Sequence, residues 1–173
     1  GLGFKKEYPD SWRSNRKICK KGVFEIVSIH WVDLINYHFG IKKIEKINLR
    51  NYMKNSDGID NSYCKIHLKN KSEIDIFSSY TSPLYQRMIF IFSNGIIEQN
   101  ADSIEVRGPA MNLDKHNFFK KPSLIKKIKL NANKDYLLSL EKSVLYFLEH
   151  ASKSKSFPKD DLKKSLISNS YLV

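Results

Sequence analysis

Cysteine is almost missing from this chain. Cys19 and Cys64 are the two among 173 residues, too few and too far apart for a disulfide-stapled scaffold, and they fit the reduced thiols of a cytoplasmic protein. Cys64 and His67 lie three apart on an expected strand, so they face opposite sides of a sheet and cannot share a metal. No other Cys/His spacing suits zinc. Glycine is sparse, and Gly1-Leu2-Gly3 is too short for a phosphate-cradling loop and opens no helix. No serine sits in a nucleophile elbow. Apolar runs such as Met88–Phe92 are strand-sized, which excludes a membrane span, and the N-terminal GLGFKKEYPD lacks the apolar core of a signal peptide.

Arginine is scarce as well. Of 30 basic residues, only Arg13, Arg16, Arg50, Arg87 and Arg107 are arginines, although the net charge is +12. Arginine is the side chain that reads guanine bidentately, and the lysines are scattered as pairs along the chain rather than gathered on one element. The charge therefore reads as a solvated surface with weak attraction for polyanions and no specific nucleic-acid partner. The length suits one well-cored domain, residues 1–173.

What is present is organised around Gly22–Gly40, GVFEIVSIHWVDLINYHFG. Apolar residues at spacings of three and four between two glycines predict a mostly buried helix with Gly40 as its C-cap. His30 and Asp33 lie one turn apart on one side of it. A titratable group on a buried helix is costly unless it is paired or used, so His30 is either a hydrogen-bonded core residue or a catalytic one. Tyr37 and His38 either line the same site or make capping contacts near Gly40. The opening segment 1–21 is loop-like, with a turn at Tyr8-Pro9-Asp10 followed by Ser11-Trp12-Arg13. Trp12 and Arg13 are either an aromatic wall and anion clamp for a ligand or a tryptophan on the core edge beside a surface arginine.

Downstream, strands are expected at 46–53, 62–68, 73–80, 86–92, 95–99, 103–107 and 124–130, with Asn94-Gly95 the best hairpin signal. Short connections make them an antiparallel meander over about 46–130 rather than βαβ units. Residues 112–123 read as a loop. Asn133 is expected to N-cap a helix with Leu137, Leu138, Val144, Leu145 and Leu148 on its apolar face. Phe157-Pro158 breaks the chain before a short closing helix capped by Asp160 or Asp161. The fold class is thus α+β, a mostly antiparallel sheet with helices on one face.

Taken together, Tyr8-Pro9…Ser11-Trp12-Arg13, the Gly22…His30-x-x-Asp33 helix, the meander and the closing Tyr136-Leu137…Phe147-Leu148…Phe157-Pro158…Leu166 pattern resemble the C-terminal half of the Gfo/Idh/MocA family, the glucose–fructose oxidoreductase and inositol dehydrogenase relatives. The resemblance implies an open-sheet substrate and dimerisation domain of a dehydrogenase acting on a sugar, sugar nucleotide or cyclitol. In that family a separate Rossmann half binds NAD or NADP and supplies a Glu-Lys-Pro lysine. No G-x-G-x-x-G and no Glu-Lys-Pro occur here, so no tight dinucleotide binding by this chain is expected, and the chain reads as part of something longer. By the resemblance, His30 exchanges the hydroxyl proton, Asp33 supports it, and Arg13 and Trp12 line the sugar, while the sheet face forms a homodimer. The family helix pattern Asp-x-Gly-x-His-x-x-Asp is broken, because Ile26 and Ser28 stand where the first acid and the glycine belong. That departure motivates a second reading, a sugar-binding or dimerisation module that has lost dehydrogenase chemistry.

Overall fold

The computed structural model describes residues 2–109, 113–152 and 159–171, without the side chain of Asp161. The chain divides into two compact units, Gly1–Leu84 with Ser156–Val173, and Tyr85–Lys155. The class is α+β, and every strand pair is antiparallel.

In the first unit, one turn of π-helix, Phe24–Ser28, runs directly into helix α1, Ile29–Phe39. Gly40 ends α1 with φ +69°, its N–H donating to the Asn36 carbonyl, as a glycine C-cap should. Three strands follow in the order β1 (Ile41–Arg50), β2 (Asn61–Leu68) and β3 (Glu73–Ser79). Strand β1 starts five residues before the expected boundary. Its apolar residues Ile41, Ile44 and Ile47 are spaced by three, which breaks strand alternation. Two register shifts, at Ile41/Lys43 and Ile44/Lys46, absorb the extra residues and turn these isoleucines toward the core. Phe24, Val32 and Ile35 pack there on Ile41, Cys64, Ile66, Leu68 and Ile76. The opposite face of the sheet is polar: His67 sits between Glu45 and Glu73, and Lys65 pairs with Glu73 at 3.0 Å.

Helix α3, Lys159–Ser170, packs against α1. Asn36 joins them: its Nδ2 donates to the Lys164 carbonyl (3.2 Å) and Ser168 Oγ (3.1 Å), while its Oδ1 accepts from the Ile41 N–H. Because α3 begins at Lys159, Asp160 and Asp161 lie within its first turn rather than at its cap. The Phe157-Pro158 break lies outside the described residues.

In the second unit, β4 (Met88–Phe92), β5 (Gly95–Gln99), β6 (Ser103–Arg107) and β7 (Leu124–Lys129) form a separate four-stranded sheet in chain order. The expected single meander over 46–130 is therefore two sheets. The segment after β3 contains Pro83, which has no N–H to donate to a ladder, and Tyr80–Arg87 forms no strand. One face of this sheet carries charge beside Ile89, Ile91 and Ile96, with Glu105 bonded to Lys127 and Arg107, which hold its carboxyl down to about 2. The other carries Met88, Phe90, Phe92, Ile97, Ile104 and Val106, and none of these is buried. Helix α2, Ala132–Ser152, follows. Its cap is Asn131, not Asn133: Asn131 Oδ1 accepts from the Lys134 N–H, and Asp135 Oδ2 accepts from the Asn131 N–H, a reciprocal capping box. Its apolar residues, Leu137, Leu138, Val144, Leu145 and Leu148, remain exposed.

Candidate functional site

The helix that carries His30 is amphipathic rather than mostly buried. Phe24, Ser28, Val32, Ile35 and Asn36 form its buried side, whereas His30 is exposed and Asp33 is half-buried. Aromatic and aliphatic residues ring the helix while the sheet covers only one side, so apolar spacing does not mark which side is buried. Leu34, Tyr37 and Phe39 stay exposed to 41–47%. His30 is therefore not a core histidine. Among the described residues no hydrogen bond joins it to Asp33. Tyr37 packs under Lys164, whose Nζ lies 4.4 Å from the ring centre, and makes an edge contact with His38.

The π turn has a visible anchor. Ser28 is fully buried, and its Oγ donates to Ser78 Oγ at 2.9 Å and lies 3.1 Å from Ser62 Oγ. Ser62 and Ser78 are direct cross-strand partners of β2 and β3. Small residues at all three positions let the helix approach the sheet closely, and the hydroxyls satisfy one another in a dry setting. A π turn widens the helix by one residue and changes the direction in which the following turn points, and His30 is in that following turn.

Trp12 and Arg13 are brought together as expected. The guanidinium carbon of Arg13 stands 4.7 Å from the Trp12 ring centre, and Trp12 is 50% exposed. Trp12 is thus an open aromatic surface, not a cover for the core edge. Beneath Arg13 lie two tyrosines that the sequence offered only as part of a turn and the end of a strand. Tyr8 and Tyr80 are 2% and 7% exposed, with rings edge-on at 5.9 Å. Neither hydroxyl makes a hydrogen bond of ordinary geometry. Burial pushes the Tyr80 hydroxyl up to about 12, opposed by the nearby Arg13 charge. Tyr8 is raised for the same first reason, and burial, with Glu25 beside it, takes the Cys19 thiol to about 12. Val23 and Val27 from the helix pack on the two tyrosines, and His30 follows Val27 by three residues, one turn further along. No hydrogen bond or ion pair among the described residues links Trp12 or Arg13 to His30 or Asp33.

A second group that sequence reading missed is Asp60, fully buried at the end of the β1–β2 loop. Its carboxylate accepts from the Tyr52 and Met53 N–H groups and from Asn61 Nδ2 at 2.6–3.0 Å. It closes that loop. No local pattern marks such an acid, since its donors are backbone groups eight residues away. Among the described residues no set of His, Cys, Asp or Glu could hold a metal, and no helix is long and apolar enough to cross a membrane.

No family model matches the sequence, and no curated protein matches it. Solved structures match the fold. An oxidoreductase from Agrobacterium radiobacter, in complex with NAD+, L-tartaric acid and magnesium, is similar with a TM-score of 0.65 at 14% identity, over 97% of this chain and 50% of its own. Levoglucosan dehydrogenase in complex with NADH and levoglucosan gives 0.60 at 14% identity, over 94% of this chain and 50% of its own. An NAD binding oxidoreductase from Klebsiella pneumoniae gives 0.51 at 12% identity, over 68% and 34%. The fold is thus one found in NAD-dependent oxidoreductases. This chain spans about half the length of the first of them.

Proposed function

We propose that the first unit is the substrate-holding part of an NAD(P)-dependent oxidoreductase of the Gfo/Idh/MocA kind, acting on a sugar, sugar nucleotide or cyclitol. The observation that carries the reading is the solvent-facing His30 one turn beyond the helix residues that pack on Tyr8 and Tyr80. In this reading Trp12 offers its face to the apolar side of a sugar ring, and Arg13 donates to its oxygens. His30 accepts or returns the hydroxyl proton of the reacting carbinol. Hydride transfer is the chemistry of a nicotinamide, which in this reading another part of the whole protein would hold. The test is binding of a panel of sugars and cyclitols to this chain, followed by tryptophan fluorescence, with Trp12→Phe leaving Trp31 as the control. A saturable signal lost in Trp12→Phe supports the site, and no saturable signal from any of them overturns it.

The second reading, a sugar-binding module without chemistry, is favoured by one observation. Ile26 replaces the acid that would orient His30, and no described residue takes over that role by a hydrogen bond to the ring. For the second unit we propose a homodimer through the apolar sheet face of Phe90, Ile97 and Val106. On that face Met88, Ile97, Ile104 and Val106 are half-buried and Phe92 is exposed, and an apolar sheet face left partly open to water marks an association surface.

A further inference from the structure

Arg13 is half-buried, yet among the described residues no carboxylate lies within ion-pair distance of it. The Trp12 ring covers one side of the guanidinium at 4.7 Å. On its inner side are the Tyr8 and Tyr80 hydroxyls and the Cys19 thiol, all of which keep their protons at neutral pH because burial raises them. Of the acids near these groups, Glu25 stands against the Cys19 thiol, and the buried Asp60 already spends its oxygens on Tyr52, Met53 and Asn61. A guanidinium withdrawn from water without a counter-charge is costly. Stacking on Trp12 fixes its plane, and apart from the contact with the Tyr80 hydroxyl its N–H groups have no partner among the described residues, an arrangement suited to capture of an oxyanion.

We infer that Arg13 is a receptor for a carboxylate or phosphate group on the ligand. The substrate class is therefore an anionic polyol, a sugar acid or sugar phosphate, rather than a neutral sugar. This rests on the reading above that the first unit holds the substrate. A neutral sugar would leave the charge of Arg13 uncompensated, whereas an acid group balances it and anchors the polyol beside the Trp12 face. The buried Tyr8 hydroxyl, which has no hydrogen-bond partner, and the Tyr80 hydroxyl, which Arg13 reaches, add a polar floor that an apolar packing role for the two tyrosines does not need.

The experiment is a titration of the isotope-labelled chain with glucuronate, a hexose phosphate and glucose, reading the Arg13 Nε–H, the Trp12 indole N–H and the His30 ring by NMR. At least one anionic probe is expected to bind about tenfold more tightly than glucose and to shift Arg13. Arg13→Gln should abolish that preference, and Arg13→Lys, which keeps the charge without the fork, should retain part of it. The two anionic probes separate a carboxylate site from a phosphate site. Equal affinities, no binding by either anion, or a preference surviving in Arg13→Gln (which would assign it to the lysine-rich surface) overturns the inference. Anion binding that shifts Arg13 but leaves His30 unmoved supports the receptor and breaks the single-site reading. Glucose moving Trp12 and His30 with no anion preference does the reverse.

Discussion

Replacing Ser28 by alanine tests whether the buried serine cluster holds the π turn on the sheet. The substitution removes one hydroxyl that serves two others: Ser78 loses a donor at 2.9 Å and Ser62 a neighbour at 3.1 Å. All three residues are buried, so water does not replace what is lost. A net hydrogen bond is worth about 1 kcal/mol, and a buried group left unsatisfied adds to that, so the expected cost is about 2 kcal/mol. Ser28→Gly should cost about 1 kcal/mol more, because glycine in a helix carries an added backbone-entropy penalty. The assay is urea unfolding followed by tryptophan fluorescence, which reports the first unit because Trp12 and Trp31 both belong to it. A value for Ser28→Ala within a few tenths of a kcal/mol of the parent would refute the argument that these hydroxyls anchor the turn. Stabilisation by alanine would refute it more strongly.

Gly22→Ala should be more damaging than any surface change. Gly22 has φ +53°, and an added Cβ would lie 2.0 Å from the Ile59 carbonyl oxygen, which accepts from the Val23 N–H. Left-handed strain together with the lost hydrogen bond comes to about 3 kcal/mol, and a thermal midpoint unchanged by the substitution would contradict it. Alkaline pH should also destabilise the first unit. Burial raises Cys19 to about 12, Cys64 to about 11 and Tyr80 to about 12, so above about pH 9 the unfolded chain sheds protons that the folded one keeps. This contribution is whole below that pH and is lost as pH rises through the folded values; a flat midpoint between pH 8 and 11 would count against it. Val106→Lys, on the apolar sheet face, should convert a dimer to a monomer in sedimentation velocity, and a parent chain that is already monomeric at high micromolar concentration ends the dimer proposal.

The strands after residue 60 were legible almost to the residue, because Asn94-Gly95, Gly108-Pro109 and clean alternation mark their ends. β1 was not, since its three-residue apolar spacing makes sense only with two bulges. The split into two sheets was hidden for a related reason: short connections predict antiparallel neighbours, but Pro83 interrupts the ladder without leaving a long loop. The cap of α2 was misplaced by two residues because Asn131 and Asn133 compete, and only the reciprocal bond with Asp135 separates them. Trp12 and Arg13 could be paired from adjacency alone. The floor beneath them could not, as Tyr8 and Tyr80 meet across seventy residues that carry no shared pattern. His30 was placed on its helix from sequence but in the wrong environment, since that helix is apolar all round in sequence but covered on one side only.

The most direct test of the oxidoreductase reading is kcat/KM for the whole protein that contains this chain, measured with NAD and with NADP on neutral and acidic sugars, parent against His30→Ala. Loss of a general base or acid within a working site predicts a fall of about a hundredfold or more, carried mainly by kcat. An unchanged kcat/KM would remove His30 from the chemistry and leave the chain a sugar-binding module.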